Sequence, residues 1–170
     1  MRRFLIVFAV VANLVLVDAV SKEIAAALLK GRAAVSVIPG LFSLAYVENR
    51  GCAWGMLQGQ VWPLAVFGIA ALALLVWRRR DVFAAPEGSP RMASVLGAVA
   101  EPLVYAGIIG NVIDRVFRGY VVDMLDFHWG SSHFPCFNFA DSCICVGAGM
   151  IVLASVLTPR RRNGGKEAAS

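Results

Sequence analysis

The sequence predicts a mainly α-helical integral membrane protein with four transmembrane helices and a small extracytoplasmic β-sheet or loop element. Three observations lead to this fold class. Of the 170 residues, 59% are hydrophobic and only 16% are charged, whereas soluble domains average about 25% charged residues. The mean hydropathy is +0.71. Four long apolar runs follow one another, and a chain of this length has room for four or five spans of roughly 20 residues each.

Composition also excludes several classes of protein. So apolar a chain is neither disordered nor an isolated soluble domain, because one small core could not bury this much apolar side chain. The formal net charge is +5. The basic residues flank the apolar runs, as membrane anchors do, and do not form one soluble basic face. We therefore expect contact with membrane lipid and no nucleic-acid partner.

The four predicted helices cover residues about 4–29, 61–77, 92–113 and 137–157, within a single membrane-embedded domain of residues 1–158. Taken alone, the first run resembles a secretory signal peptide. However, Asp18 and Lys22 stand where a small-residue cleavage site should be, which favours a retained helix. Residues 81–90 are predicted to form a plain linker, and residues 159–170 a disordered cytoplasmic tail.

The positions of the basic residues predict the orientation. Three consecutive arginines end the second run at residues 78–80, and three more follow the fourth run at residues 160–162. Placing both termini in the cytoplasm puts every such cluster inside, as the positive-inside rule requires. Residues 35–57 then lie outside. They contain two β-prone stretches separated by Pro39-Gly40, which predicts the small extracytoplasmic sheet.

Polar side chains gather at the outer ends of the predicted spans. Because polar groups are costly in a bilayer, this clustering indicates a site at the outer boundary of the membrane. Helical spacing places Asn111 and Arg115 on one face of the third helix, and Asn138 and Asp141 on one face of the fourth. The clustered residues are Asp18, Glu48, Asn49, Asn111, Asp114, Arg115, Asp123, Asp126, Asn138 and Asp141.

Two of these carboxylates suggest a chemistry. Asp123 lies in an apolar segment just after the third helix, and Asp141 about one turn inside the fourth. If the fold brings them together, they can share a proton, so that one activates water while the other donates a hydrogen bond to a carbonyl. That arrangement hydrolyses peptides without a metal. The alternative is that Asp123 pairs with Arg115 or Arg118 while Asp141 caps or braces the bundle.

A zinc site is the weaker interpretation of the remaining polar residues. His128, His133 and Cys136 lack the spacing of a helical zinc motif, so no metal or cofactor is expected.

Two further classes of function stay open on residue types alone. The first is a proton-coupled transporter with a relay of carboxylates, and the second is a purely structural membrane subunit. The relay would use Asp18, Glu101, Asp114 and Asp141. Only Glu101 lies deep in a predicted span, and burial is expected to keep it neutral near pH 7.

Five short motifs occur in order along nearly the whole chain. They are Asp18-Ala19-Val20-Ser21-Lys22, Asn49-Arg50-Gly51-Cys52-Ala53-Trp54, Gly110-Asn111-Val112-Ile113-Asp114-Arg115, Val121-Val122-Asp123 and Phe137-Asn138-Phe139-Ala140-Asp141-Ser142. In this order and spacing the chain resembles the bacterial lipoprotein signal peptidases, also called signal peptidase II or prolipoprotein signal peptidase. Arg50, Cys52 and Glu101 depart from the family pattern.

The resemblance implies an aspartic endopeptidase of the bacterial inner (cytoplasmic) membrane, monomeric, with its active site at the outer boundary. Such an enzyme removes the signal peptide from diacylglyceryl-modified prolipoproteins, cutting just before the lipid-modified cysteine. Matching motif to motif assigns catalysis to Asp123 and Asp141. It assigns substrate contact or support of this pair to Asn49, Gly51, Asn111, Arg115, Asn138 and Ala140, and a structural role to Asp18, Lys22 and Asp114.

Overall fold

The computed structural model describes residues 2–52 and 56–158. Within these residues, three helices are long and apolar enough to cross a membrane: α1 (Arg2–Leu29), α4 (Arg91–Arg118) and α5 (Phe139–Leu157). The apolar helix α2 (Val61–Trp77) has 17 residues, about 26 Å, which is less than a hydrocarbon core of about 30 Å. A mainly helical membrane fold is thus confirmed, whereas four spans are not. The motif residues Ala53 and Trp54 and the predicted tail, residues 159–170, lie outside the described residues.

Helix α4 is the centre of the bundle, and α1, α2 and α5 all pack against it. The contact with α5 is close because small residues face it. A Cβ atom added at Gly107 would collide with the backbone carbonyl of Ala140, and one added at Gly147 with the side chain of Val104. Small residues let membrane helices approach in this way. The start of α5 is therefore held against the half of α4 that carries Asn111.

The opposite faces of the outer helices are apolar and exposed. Phe8 on α1, Phe67 on α2 and Val156 on α5 are typical of many large hydrophobic side chains that no other element covers. A soluble monomer rarely exposes a continuous apolar surface of this extent. Contact with lipid acyl chains explains it.

One antiparallel sheet lies at one end of the bundle, with the strand order β1-β2-β3-β4. The strands are β1 (Val35–Ile38), β2 (Phe42–Asn49), β3 (Val121–Trp129) and β4 (Ser132–His133). The first two fall within the predicted element at residues 35–57, but β3 and β4 are an addition to the prediction. The register pairs Val47 with Asp123 and Asn49 with Val121, which brings the end of β2 alongside Asp123.

Three predicted boundaries need correction. Helix α5 begins at Phe139 and not at residue 137, because Asn138 is its N-cap and Phe137 forms a β-bridge with Leu125. Helix α4 continues past residue 113 to Arg118, where Gly119 ends it in a left-handed conformation with φ of 76°. The predicted linker begins inside a short helix, α3 (Arg79–Phe83), whose Phe83 packs into the core.

Candidate active site

A fully buried lysine joins α1 to α4 at the end of the bundle that carries the sheet, here called the sheet end. Lys22 Nζ lies 2.7 Å from Asp18 Oδ2 and 2.9 Å from Asp114 Oδ2. It also donates to Asn111 Oδ1 at 3.3 Å. The other oxygen of Asp114 contacts Arg118 Nε at 3.0 Å. Two carboxylates are thus matched by two cations in a site that water barely reaches.

The same two carboxylates hold the backbone immediately before each candidate catalytic residue. Asp18 Oδ1 accepts a hydrogen bond from the amide of Ala140 at 2.9 Å, and Asp114 Oδ2 accepts one from the amide of Val122 at 3.1 Å. Ala140 precedes the aspartate of α5, and Val122 precedes the aspartate of β3. The Lys22 cluster therefore fixes where these two chain segments lie relative to each other.

Asp123 is buried and is held by two side-chain amides. Asn49 Nδ2 donates to its Oδ2 at 2.9 Å, and Asn138 Nδ2 donates to its Oδ1 at 2.8 Å. Burial, followed by the nearby charge of Asp141, raises the pKa of Asp123 to about 7, although the two amides act in the opposite direction. A carboxyl group in this position can hold a proton near neutral pH.

Asp141 caps its own helix. Its backbone amide donates to Asn138 Oδ1 at 2.9 Å, and its Oδ2 accepts from the backbone amide of Asn138 at 3.2 Å, which completes a capping box. Its Oδ1 accepts from Asn111 Nδ2 at 2.7 Å. Both oxygens of Asp141 therefore accept hydrogen bonds, as both oxygens of Asp123 do. Asp141 therefore takes part in capping its helix, as the predicted alternative proposed. The same position also places Asp141 in one cavity with Asp123.

Two asparagines connect the two carboxyl groups. Asn138 Nδ2 reaches Asn111 Oδ1 at 3.2 Å while also contacting Asp123, and Asn111 in turn contacts Asp141. The network links α4, β3 and the start of α5 through side chains only. It orients the two carboxyl groups towards one cavity and satisfies their buried polar atoms.

Arg115 positions the loop that follows β2. Its Nη2 donates to the carbonyl of Gly51 at 3.0 Å, and its Nη1 to the carbonyl of Asn111 at 3.2 Å. The amide of Gly51 donates to Asn49 Oδ1 at 2.9 Å, so the loop also orients the amide that holds Asp123. A Cβ atom at Gly51 would collide with the carbonyl of Met56. Glycine is therefore required where the chain approaches itself this closely.

The alternative in which Asp123 pairs with an arginine does not hold. Over residues 2–52 and 56–158, Arg118 forms its ion pairs with Glu23 and Asp114, and no ion pair joins Asp123 to Arg115 or Arg118.

Two cavities meet at Asp123. The first, here called the dyad cavity, measures about 400 Å³, contains both Asp123 and Asp141, and has apolar walls that include Phe137 and Ile144. The second, here called the sheet groove, measures about 490 Å³ and runs from Asp123 across the sheet. The residues that line both are Asn49, Cys52, Asp123, Phe134, Pro135 and Cys136.

The wall formed by residues 134–136 was not predicted from the sequence. The available signal was their place directly before the Phe137-Asn138 motif, but neither charge nor periodicity marks them. Burial raises the pKa of the Cys136 thiol to about 12, so it is no thiolate nucleophile. The two histidines contact Ser43 and Asp126. Nowhere in the described part of the chain are three His, Cys, Asp or Glu residues grouped to hold a metal ion.

Glu101 lies towards the other end of the bundle, here called the arginine end, and it is paired. Its carboxylate oxygens lie 3.0 Å from Arg3 Nη2 and 3.2 Å from Arg79 Nε, and its side chain is only 2% exposed. The expectation of an uncharged Glu101 rested on burial alone, and these two guanidinium partners were not predicted. Along α4, Glu101 is about 20 Å from Asp114, which weakens the interpretation of a proton relay.

Known proteins resemble this chain over most of its length. The family model described as signal peptidase (SPase) II matches residues 10–157. The lipoprotein signal peptidase of Syntrophotalea carbinolica is 41% identical over 89% of this chain and 91% of its own length, and that of Symbiobacterium thermophilum is 41% identical over 92% and 96%. The lipoprotein signal peptidase of Shewanella loihica is 40% identical over 91% and 88%.

The fold is similar as well. A bacterial membrane enzyme solved by the in meso method at 2.3 Å resolution superposes with a TM-score of 0.72 and 29% identity, over 96% of this chain and 94% of that one. Since the family model spans most of the chain and the relatives match over nearly their full lengths, this protein belongs to the signal peptidase II family of lipoprotein signal peptidases.

Proposed function

We propose that Asp123 and Asp141 are the catalytic pair with which this enzyme cleaves diacylglyceryl-modified prolipoproteins just before the lipid-modified cysteine. The observation that carries the proposal is the shared dyad cavity, into which both carboxyl groups are held by the Asn111–Asn138 network. A pKa of about 7 lets Asp123 keep a proton while Asp141 accepts hydrogen bonds as a carboxylate. An aspartic peptidase needs one carboxyl group in each state.

The proposed reaction uses the pair as acid and base. Asp141 takes a proton from a water molecule, whose oxygen forms a bond to the scissile carbonyl carbon, while protonated Asp123 donates its proton to the carbonyl oxygen. The resulting tetrahedral intermediate collapses when its C–N bond breaks. The cysteine nitrogen leaves with the proton held by Asp141, and Asp123 recovers its proton from the diol. The pair thus returns to its starting state.

The neighbouring residues have distinct roles in this proposal. Asn49 and Asn138 orient Asp123, and Asn111 orients Asp141. Arg115 and Gly51 hold the loop that carries Asn49. The other residues act further away: Asp18, Lys22 and Asp114 fix the segments before the two aspartates, and Ala140 supplies one of the clamped amides.

Asparagine substitution at either aspartate tests the pair. We expect Asp123→Asn and Asp141→Asn each to lower the cleavage rate of a lipid-modified precursor peptide at least about a thousandfold, because acid–base groups supply about 10²–10⁴. The double variant should be little worse than either single one, because each change disables the same unit. Cleavage is measured with purified protein in detergent.

Asp81→Asn is the matched control, because Asp81 is an exposed aspartate at the arginine end, and it should cleave at the wild-type rate. A chelator should leave the wild-type enzyme active. Near-normal cleavage by either dyad variant, or a loss with chelator that zinc restores, would exclude the aspartic mechanism.

We also propose that α2 is a fourth span and that the enzyme is an inner-membrane monomer with both termini in the cytoplasm. The exposed apolar face of α2 supports the fourth span, and the arginines at residues 78–80 support the orientation. Ser89 would then face the cytoplasm and Gly130 the outside. Single cysteines at these positions, in a variant without native cysteines, should react with an impermeant thiol reagent on intact cells only at position 130. The reverse pattern would invert the orientation.

A further inference from the structure

The sheet groove is a second cavity that the proposed acid–base reaction does not use. It begins at Asp123 and continues over β2, where Ala45 and Val47 line it, to Asp126 and His133. Its volume of about 490 Å³ lies within the range of about 300–1,000 Å³ of sites that bind drug-sized ligands. A polypeptide whose scissile bond lies at Asp123 would extend from the dyad cavity into this groove.

The two cavities differ in chemistry. The dyad cavity contacts α5 on the side of the exposed Cys145, and its walls are largely apolar. The walls of the sheet groove carry the polar side chains of Glu48, Gln58 and Asp126. Acyl chains and an apolar signal peptide suit the first cavity, whereas a polar chain leaving the membrane suits the second.

Glu48 and Asp126, two acidic side chains of the groove, differ in whether cations neutralise them. Glu48 is matched by two cations, since its carboxylate oxygens lie 3.1 Å from Lys30 Nζ and 3.3 Å from Arg50 Nη2. These partners lower the pKa of Glu48. Asp126 Oδ1 instead lies 2.8 Å from Nδ1 of His133. A neutral imidazole donates a hydrogen bond to this carboxylate without cancelling its charge.

The Asp126–His133 pair is also fixed in place. The ring of His133 stacks on the ring of His128 with 5.0 Å between centroids, and His128 Nε2 lies 3.1 Å from Ser43 Oγ on β2. Two strands and the β3–β4 turn therefore hold one carboxylate on the wall of the groove. A side chain held in this way can recognise charge without first being ordered.

We propose that the sheet groove binds the substrate segment that follows the lipid-modified cysteine, and that Asp126, held by His133, gives the enzyme a preference for basic over acidic side chains there. This inference rests on the proposed function, because it places the scissile bond at Asp123. Beyond the proposed function, it specifies which chemical class of substrate residue is preferred after the lipid-modified cysteine. Asp126 is then a specificity-determining residue, and His133 a positioning residue.

Two precursor peptides test the preference. They carry the same diacylglyceryl cysteine and differ only in the two following residues, Lys-Lys in one and Asp-Asp in the other. At about pH 8, where imidazole is ordinarily neutral, we expect wild-type kcat/KM to be about tenfold higher for the lysine peptide, mainly through KM. Higher ionic strength should reduce the ratio. A wild-type ratio within about twofold of unity would overturn the proposal.

Three variants assign the preference to Asp126. Asp126→Asn keeps an acceptor for His133 but removes the charge, so the ratio should fall to near one. His133→Gln keeps a side-chain donor that can hold the carboxylate of Asp126, so it should keep the ratio. The control Asp81→Asn changes no residue of the groove and should keep it as well. A ratio unchanged in Asp126→Asn would overturn the assignment. Failure of the wild-type enzyme to cleave any lipid-modified precursor would instead remove the proposed function itself.

Discussion

Both ends of the helical bundle bury a charged side chain, but they stabilise it in opposite ways. At the sheet end, Lys22 and its partners Asp18 and Asp114 are all buried, with side-chain exposures of 1%, 3% and 5%. At the arginine end, Glu101 is equally buried, but Arg3 and Arg79 remain 58% and 36% exposed. In the first cluster the lysine and both of its carboxylate partners are buried, whereas the second is a buried acid paired with cations from the surface.

The difference shows where precise geometry is needed. Buried partners cannot be replaced by water, so the Lys22 cluster holds α1, α4 and the two clamped amides in one arrangement. Exposed arginines can be hydrated when their partner is lost, and exposed ion pairs contribute little. We infer that the sheet end positions the proposed catalytic pair and that the arginine end joins helices.

Removing the buried cation should have the largest effect. Lys22→Met removes the cation beside buried Asp18 and leaves Asp114 with Arg118. Breaking a buried pair costs about 3–5 kcal/mol. We expect a large fall in the thermal unfolding temperature in detergent and loss of cleavage. Neutralising the partners as well, in Asp18→Asn/Lys22→Met/Asp114→Asn, should recover much of the stability. A stable, active Lys22→Met protein would contradict the comparison.

The proton on Asp123 makes the sheet end sensitive to pH. Its pKa is about 7 in the folded protein and about 3.9 for an unperturbed aspartate. Because the folded state binds this proton more tightly, the associated stability is complete below about pH 4 and is lost as the pH rises through about 7. It amounts to at most about 4 kcal/mol. Wild type should therefore unfold at a lower temperature at pH 8 than at pH 5, and Asp123→Asn should lose this dependence.

The cleavage rate should also depend on the protonation of Asp123. The rate should fall as the pH rises through about 7, since the pair then loses its acid. Asn49→Ala removes a hydrogen bond that lowers the pKa of Asp123. In the pH–rate profile of Asn49→Ala, the fall in cleavage rate should therefore occur at a higher pH than in the wild type. The kcat of this variant should be lower. A fall at the wild-type pH would mean that Asn49 does not act through Asp123.

Neutralising the acid at the arginine end should have the smallest effect. Glu101→Gln keeps the shape and an acceptor oxygen, and both exposed arginines can be hydrated. We expect a loss of at most about 1 kcal/mol in stability and cleavage within twofold of wild type. A tenfold loss of cleavage in a folded Glu101→Gln protein would revive the relay hypothesis and would show that the two ends are more alike than their exposures indicate.

The features that could be predicted from the sequence are those set by neighbouring residues. The helical runs follow from composition, and the spacing of Asn138 and Asp141 on one face became a capping box. The polar residues of the site were found because each motif carries several of them.

The missed features depend on distant partners. Strand β3 is defined by pairing with β2, whose residues lie more than seventy positions earlier. Neighbouring charges and aromatics hide any simple alternation in its sequence. Likewise, Glu101 meets Arg3 across 98 positions. No pattern within one helix predicts which distant arginine will reach it.

The capping box at the start of α5 has a consequence for biosynthesis. Asn138 and Asp141 belong to the last membrane helix described, and they acquire their partners only when that helix packs on α4. A chain that emerges from the ribosome N-terminus first presents Asp123 before Asp141. The proposed catalytic pair is therefore incomplete until α5 packs on α4, and a chain without that packing has neither the asparagine network nor the dyad cavity.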